Sequence, residues 1–546
     1  MKQGIFILMG VCMLLSLPSI ASDKDKNKGV TTVDSLNTVN LNWYNMDPTK
    51  DKVLGASVDM AYQELLAGKL PRRKVVVAVI DGGVDIYHQD LEGKIWNNSD
   101  EIPDNQLDDD NNGYTDDIHG WNFLGNAQGE NVENENYEFV RIINWLSPVF
   151  DTVTNPELLT GSLMEDYKLY QKCQSRFEAE VKKYTGQQEN IKKFQERVDK
   201  TVELLKRSTK TDRPTKDQVK QVLPINDQET SAKKYMLFLF KKGFTFDMLD
   251  EMNEHVDKFL TYHLNAELNS RKVIGDNPYD SLEVSYGNSD VKGPRADHGS
   301  FVAGIIAANR NNNLGINGIA ENVEIMVLRV VPDGDEYDKD VALAIRYAAD
   351  NGANIINMSF GKGFSPLKKM VDEAIAYADS KGVLLVHAAG NDADNCDEVE
   401  HYPTKKFTNQ WQAKNWITVG ANAQKEGKKL TGVFSNYGQS TVDLFAPGVD
   451  VISIFPENKY DLSSGTSFSC PVVSGVAALI WSYYPELTSG QLKELILSSA
   501  YVVDKKVLLP DLKNSKRKKV PFQSLSVTGG VVNAYEAIKK AELMRR

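Results

Sequence analysis

Cysteine is scarce in this sequence, with four in 546 residues, and that density excludes a fold built on a disulfide framework. There is no basic excess either. The 63 Lys and Arg against 75 Asp and Glu leave a formal charge of −12. A nucleic-acid partner, which would need a basic face, is therefore not expected. No stretch approaches 18 consecutive apolar residues, so no membrane-spanning helix is predicted in the mature chain. Internal repeats and low-complexity tracts are also missing. What is present is a hydrophobic fraction of 41%, enough for a substantial core and incompatible with wholesale disorder. At about 150 residues per domain, the length predicts three or four domain-sized units.

The amino terminus has its own pattern. Lys2 is the only charged residue before Asp23, residues 5–17 are apolar, and Ser19-Ile20-Ala21 places small residues at the two cleavage-specifying positions. The apolar run is too short to span a bilayer comfortably. This pattern predicts a signal peptide over 1–21 and a secreted or periplasmic protein, free of the membrane after cleavage. An uncleaved anchor is the alternative. Cleavage removes Cys12 and leaves Cys173, Cys396 and Cys470. An odd number of cysteines leaves at least one thiol unpaired within the chain.

Two compositions alternate beyond that point. Residues 72–125 and 285–505 carry short apolar runs (75–80, 325–330, 355–359, 383–387 and 416–420) between Ala-rich helical stretches such as 340–350 and 367–381. Apolar runs of four to six residues without polar alternation predict strands buried on both faces, as in a doubly wound, mostly parallel sheet of three layers. Residues 161–260 differ, with 37 charged residues among 100 and only three glycines. There Leu163, Tyr167, Tyr170, Phe177, Val181, Tyr184, Ile191, Val198, Val202 and Leu205 recur in steps of threes, fours and sevens, the mark of a single helix stripe. Gln188 is polar within that seam. Further helices are predicted around 230–242 and 246–268. The chain thus divides into 22–134 and 276–546, the two parts of an α/β domain, with an α-helical insertion over 135–275. The insertion is either a self-packed decoration or a coiled-coil surface for a partner.

Four short blocks carry candidate chemistry. Asp81 ends the run 75–80, placing a carboxylate where a parallel strand ends and α/β folds put their sites. His298 opens a small-residue helix. Asn391 follows the run 383–387 and could donate a hydrogen bond to an oxyanion. Ser467 precedes an apolar helix containing Pro471, which is expected only in the first helical turn. Ser467 then sits at a helix N-terminus that favours developing negative charge. Each block alone has an ordinary structural explanation: an N-cap, a buried histidine, a turn.

Taken together, Asp81 in VAVIDGGVD, His298 in DHGSFVAGIIAA, Asn391 in HAAGND and Ser467 in SGTSFSCPVVSG resemble, in order, the signature blocks of the subtilisin-like serine proteases. Residues 356–361, 434–438 and 445–448 match the family in place as well. The resemblance implies a serine endopeptidase in which Ser467 is the nucleophile, His298 the general base and Asp81 the orienter of the imidazole. It further implies that Asn391 and the Ser467 backbone N–H form the oxyanion hole. Ser359, Phe360 and Gly361 would bind the substrate backbone as an added strand, with residues 328–333 on the opposite side of the cleft. Polypeptides are the implied partners, and no catalytic cofactor is implied. Two departures stand out: Ser300 and Phe301 replace the usual Thr and second His of the histidine block, and Phe468 replaces the usual Met after the nucleophile. A dedicated processing protease with one substrate and a catalytically silent peptide-binding pseudoprotease are the alternatives.

One acidic turn lies outside these blocks. Asp108, Asp110, Asn112, the Tyr114 carbonyl and Asp116 fall at positions 1, 3, 5, 7 and 9 of a calcium loop around Gly113, with His119 at position 12. A structural Ca2+ is expected there, because so many carboxylates in one turn repel one another without a cation. A solvated acidic turn is the alternative.

Overall fold

The computed structural model describes residues 41–280, 283–310, 312–514 and 516–544. The predicted signal peptide lies outside them. The described residues separate into two compact units, one lying within 41–133 and 269–544 and the other of residues 134–268.

The larger unit is built on a nine-stranded sheet. Its main strands are β1 (Val75–Asp81), β2 (Gly120–Asn122), β3 (Val323–Arg329), β4 (Ile355–Met358), β5 (Leu384–Ala388), β6 (Trp416–Asn422) and β7 (Leu444–Pro447). In space they run β7-β6-β5-β4-β1-β3-β2, all parallel. Strands Gly530–Val531 and Tyr501–Val502 extend the β7 edge, and the last pairing is antiparallel.

The uninterrupted apolar runs are explained by burial on both faces. Val75, Val77 and Val79 enter one core, with Ile305, Val472 and Val476. Ala78 and Ile80 enter the other, with Ile345 and Ile375. The period of two along a strand thus places alternate residues of β1 under different helix layers. One layer contains the helices Asp297–Ala307 and Thr466–Tyr483, the other Asp338–Asp350 and Lys368–Ser380. The helix Thr466–Tyr483 is apolar and long enough to cross a bilayer, but it is almost wholly buried as the central core helix. Parallel strands end at one edge of the sheet, so the residues after β1, β4 and β5 gather there. Neighbouring β1 and β4 lead away to opposite sides, the kind of switch point at which open α/β sheets form a crevice.

The smaller unit is helical. Its longest element, Ser162–Thr209, buries Tyr170, Tyr184, Ile191, Val198, Val202 and Leu205, while Leu163 at the start of the predicted stripe is exposed. These residues pack within the unit, where Tyr184 stacks on Phe259 at 4.0 Å. The polar seam residue Gln188 donates to Asp257 at 2.9 Å. Helix Phe246–Lys258 ends earlier than expected and passes into a π-helical turn, Phe259–His263. Residues 269–275, read from the sequence as the end of the insertion, fold with the larger unit. There the buried Arg271 guanidinium is held by Asp276 and by Asp340 of the helix Asp338–Asp350. An ion-pair network of this kind has no periodicity and is invisible in a hydrophobic pattern.

Candidate active site

Asp81 closes β1 with its carboxylate almost fully buried. It accepts from the Gly82 N–H at 2.7 Å, and both its oxygens lie near His298 Nδ1, at 2.8 and 2.9 Å. This bond places the proton on Nδ1 and leaves Nε2 as the basic nitrogen. The His298 helix can approach so closely because its third residue is glycine. A Cβ on Gly299 would run into the Gly83 carbonyl and come within 3.2 Å of Asp81 Cβ. Partial desolvation pulls the His298 pKa down. The Asp81 charge and hydrogen bond outweigh it, so the imidazole is held above its ordinary value.

Helix Thr466–Tyr483, which carries Ser467 in its first turn, starts beside His298. The Phe468 ring lies 5.6 Å from that of His298. Thr466 and Phe468 both spend their backbone N–H groups, on Asn391 Oδ1 (2.9 Å) and the Gly465 carbonyl (3.1 Å). The Ser467 N–H and hydroxyl form no hydrogen bond among the described residues. Such an orphan N–H in a first helical turn is a ready donor for an anion. Asn391 is fixed in a complementary way: its Oδ1 accepts from both the N–H and the hydroxyl of Thr466, the latter at 3.1 Å, which leaves Nδ2 unspent among the described residues.

Pro471 lies within the helix, in its second turn and not in the first as expected. Its missing N–H would have bonded the carbonyl four residues earlier, that of Ser467. That carbonyl accepts instead from the Ser359 hydroxyl at 2.8 Å, so the proline costs no unsatisfied acceptor. Ser359 in turn accepts from Asn357 Nδ2 at 2.9 Å.

Ser359, Phe360 and Gly361 continue from β4 along the crevice. The Phe360 carbonyl accepts from His387 Nε2 at 3.0 Å, and Lys362 exchanges both backbone bonds with Tyr402, at 3.0 and 2.8 Å. Burial pushes the His387 pKa down to about 4, against a smaller opposing effect of its hydrogen bond to Phe360. On the other side of Asp81, residues Val330 and Val331 donate to the Asp81 carbonyl as the chain runs on from β3.

The two departures from the family's usual blocks meet each other. The Phe301 and Phe468 rings pack at 4.2 Å. Ser300 is buried and accepts from the Asp85 N–H at 2.7 Å.

The acidic turn folds differently from a simple alternation of ligands. Asp110 converges with Glu101 and Asp117, their carboxylate oxygens all within 4.8 Å of one another. Asp108 caps the N–H groups of Asn112 and Gly113. Asn112 turns its amide nitrogen to Asp110 and Asp117, and its oxygen to the Tyr114 N–H. The Tyr114 ring packs against Trp121 and Tyr347. Asp116, at φ 53°, gives its carboxylate to the N–H groups of Asn105 and Gln106. Of the five expected ligands, then, only Asp110 belongs to the convergent set. Burial pushes Glu101 and Asp117 above the ordinary carboxylate range, as expected where a cation would relieve the crowding. A hard, all-oxygen donor set of this kind fits Ca2+. Asp392, Asp394 and His401, beyond Asn391, form a second group with ligand atoms within 4.8 Å of one another. No spacing in the sequence signals either combination.

A model of the subtilase family matches residues 72–524. The chain belongs to the subtilase family. It is 39% identical over 222 residues to a thermophilic serine proteinase of Bacillus sp. (strain AK1), covering 40% of this chain and 49% of that one. Against subtilisin DY of Bacillus licheniformis it is 36% identical over 233 residues, 42% of this chain and 77% of the relative. The chain therefore spans about half the length of the first of these relatives. Among solved structures, a cold-adapted subtilisin-like serine proteinase is 29% identical with a TM-score of 0.34, covering 46% of this chain and 79% of that one. The described cysteines Cys173, Cys396 and Cys470 are all free thiols, so this subtilase carries no disulfide among its described residues.

Proposed function

We propose that this subtilase is an active serine endopeptidase that cleaves polypeptides through an acyl-enzyme intermediate, with Ser467, His298 and Asp81 as its triad. The observation that carries the reading is the Asp81–His298 hydrogen bond at 2.8 Å, beside a helix start whose serine keeps its N–H and hydroxyl unbonded among the described residues. Ser467 Oγ attacks the scissile carbonyl as His298 Nε2 takes its proton. Asp81 keeps the other imidazole proton on Nδ1 and stabilises the imidazolium that forms. The proton then passes to the leaving amine, and a water repeats the sequence to release the acid.

Charge builds on the carbonyl oxygen during attack. The two unspent donors, Asn391 Nδ2 and the Ser467 N–H, are suited to receive it, assisted by the helix dipole. In subtilisins, losing one such donor costs about 10²–10³ in turnover. The edge formed by Ser359, Phe360 and Gly361 takes the substrate backbone as an added strand. Ca2+ would be held by Glu101, Asp110 and Asp117 and supplies no chemical step. The amino-terminal pattern of 1–21 supports a place of action outside the cytoplasm.

Replacing Ser467 by Ala tests the reading against a silent peptide-binding scaffold. Hydrolysis of denatured casein should disappear while the unfolding transition is kept. Unchanged hydrolysis would refute it.

A further inference from the structure

The segment that receives substrate in the proposed function is held by a residue with no part in the reaction. His387 is the last but one residue of β5 and the register partner of Met358 on β4. Its ring reaches two residues beyond that partner, to the Phe360 carbonyl at 3.0 Å. A carbonyl oxygen only accepts, so Nε2 must carry the proton. The side chain is buried and lies against Trp416, with ring centroids 5.3 Å apart. Burial holds its pKa down at about 4, which favours the neutral ring with one N–H.

The consequence follows from the period of two in extended chain. Phe360 directs its carbonyl into the protein, to His387, and Lys362 directs its N–H and C=O there, to Tyr402. Gly361, between them, must then direct its N–H and C=O the other way. Neither of those groups has a partner among the described residues. Gly361 is itself tightly enclosed on the inner side. A Cβ there would lie 3.1 Å from the Tyr402 carbonyl and 3.6 Å from His387 Nε2. Without the imidazole, the Phe360 carbonyl would be an acceptor lacking its partner, with reason to rotate toward the crevice.

We propose that His387 is a positioning residue for substrate: by fixing the Phe360 carbonyl inward, it presents the Gly361 N–H and C=O as a preformed edge for the acyl-side backbone of an extended peptide. The proposal rests on the proposed function for its substrate, but the role it assigns concerns binding rather than chemistry.

The test compares His387→Leu with His387→Gln, whose amide can restore one donor. On the full chain, kcat and KM are measured for a single-residue ester and for a peptide extended four residues before the cut. Binding of an extended peptide is also followed by fluorescence anisotropy in the Ser467→Ala background, where no turnover is needed. Leu should raise KM for the extended peptide, and weaken its binding, by about tenfold, the value of one lost hydrogen bond in a buried setting. Ester turnover should stay within about twofold of the parent, and Gln should recover most of the loss. Equal effects on ester and peptide, no effect on either, or no recovery with Gln would overturn the proposal. Because the anisotropy arm needs no catalysis, an inactive parent would defeat the proposed function while leaving this outcome readable. If either variant fails to fold, ¹⁵N NMR of histidine-labelled parent protein decides: a neutral His387 with its proton on Nε2 from pH 5 to 8 supports the assignment, and a proton on Nδ1 alone overturns it.

Discussion

The hydroxyl of Ser359 donates to the carbonyl oxygen of Ser467 at 2.8 Å, filling the acceptor left open by Pro471 four residues further along the helix. One bond thus joins the residue that follows β4, proposed to help receive substrate, to the residue proposed to attack it. Ser359→Ala should leave that carbonyl buried without a partner and cost about 1–3 kcal/mol in stability. Denaturant unfolding measures the cost, and a midpoint equal to that of the parent protein would mean the bond contributes nothing.

The protonation of His298 predicts the shape of the pH profile. Only the neutral imidazole can accept the Ser467 proton, and the Asp81 carboxylate holds its pKa above the ordinary histidine value of about 6.5. The acid limb of kcat/KM should therefore titrate above that value. Asp81→Asn should cut kcat by about 10⁴ and move the limb downward, because the raising charge is gone. Stability has the opposite sense. A raised folded-state pKa stabilises the folded protein at pH below the unfolded histidine value, and this contribution is lost as pH rises through the folded one. An acid limb at or below 6.5 in the parent would contradict the geometry.

Much of this is legible in the sequence, and the reasons differ from one element to the next. The strand Val75–Asp81 follows from an uninterrupted apolar run over 75–80, and the apolar stripe from Tyr170 to Leu205 from its helical period. Asp81, His298, Asn391 and Ser467 are identifiable because each sits in a local block at the end of a regular element. Pro471 is one turn further into its helix than the sequence predicts, because the partner that compensates it, Ser359, is distant in the chain. Glu101 and Asp117 escape a loop reading for a related reason. Alternating positions report which residues can turn inward, but Asp108 and Asp116 are spent on backbone N–H groups while Glu101 enters from before the motif. His387 leaves no sign at all, since a histidine ending a buried strand has no distinctive spacing.

Peroxide resistance follows from the pairing of Phe301 with Phe468. A methionine beside the nucleophile oxidises to a polar sulfoxide, which would disturb the helix start. Phe468 cannot react in this way, and its nearest oxidisable neighbour on the helix, Cys470, is fully buried. Activity should survive peroxide, whereas Phe468→Met should lose it progressively under the same treatment. Equal decay of parent and variant would remove Phe468 from the explanation.

Calcium should act on stability rather than turnover. Glu101 and Asp117 have raised pKa values, so without a cation the folded state gains from protonation, and that gain is lost as pH rises through those values. EGTA should accordingly lower the melting temperature more at pH 7.5 than at pH 5, with kcat on a small peptide unchanged at temperatures well below melting. A ligand bound only by the folded state, at a hundredfold excess over its Kd, contributes about 2.7 kcal/mol. Asp110→Ala should abolish the response to calcium. Melting curves identical in calcium and EGTA at both pH values would exclude the ion.

The central claim is that Ser467 is a nucleophile activated by His298. Covalent labelling by a fluorophosphonate, mapped by peptide mass spectrometry, tests it most directly. The account predicts a single adduct, on Ser467, that is absent in Ser467→Ala and forms far more slowly in His298→Ala. An adduct on another residue, or labelling of Ser467 at the parent rate without His298, would contradict it.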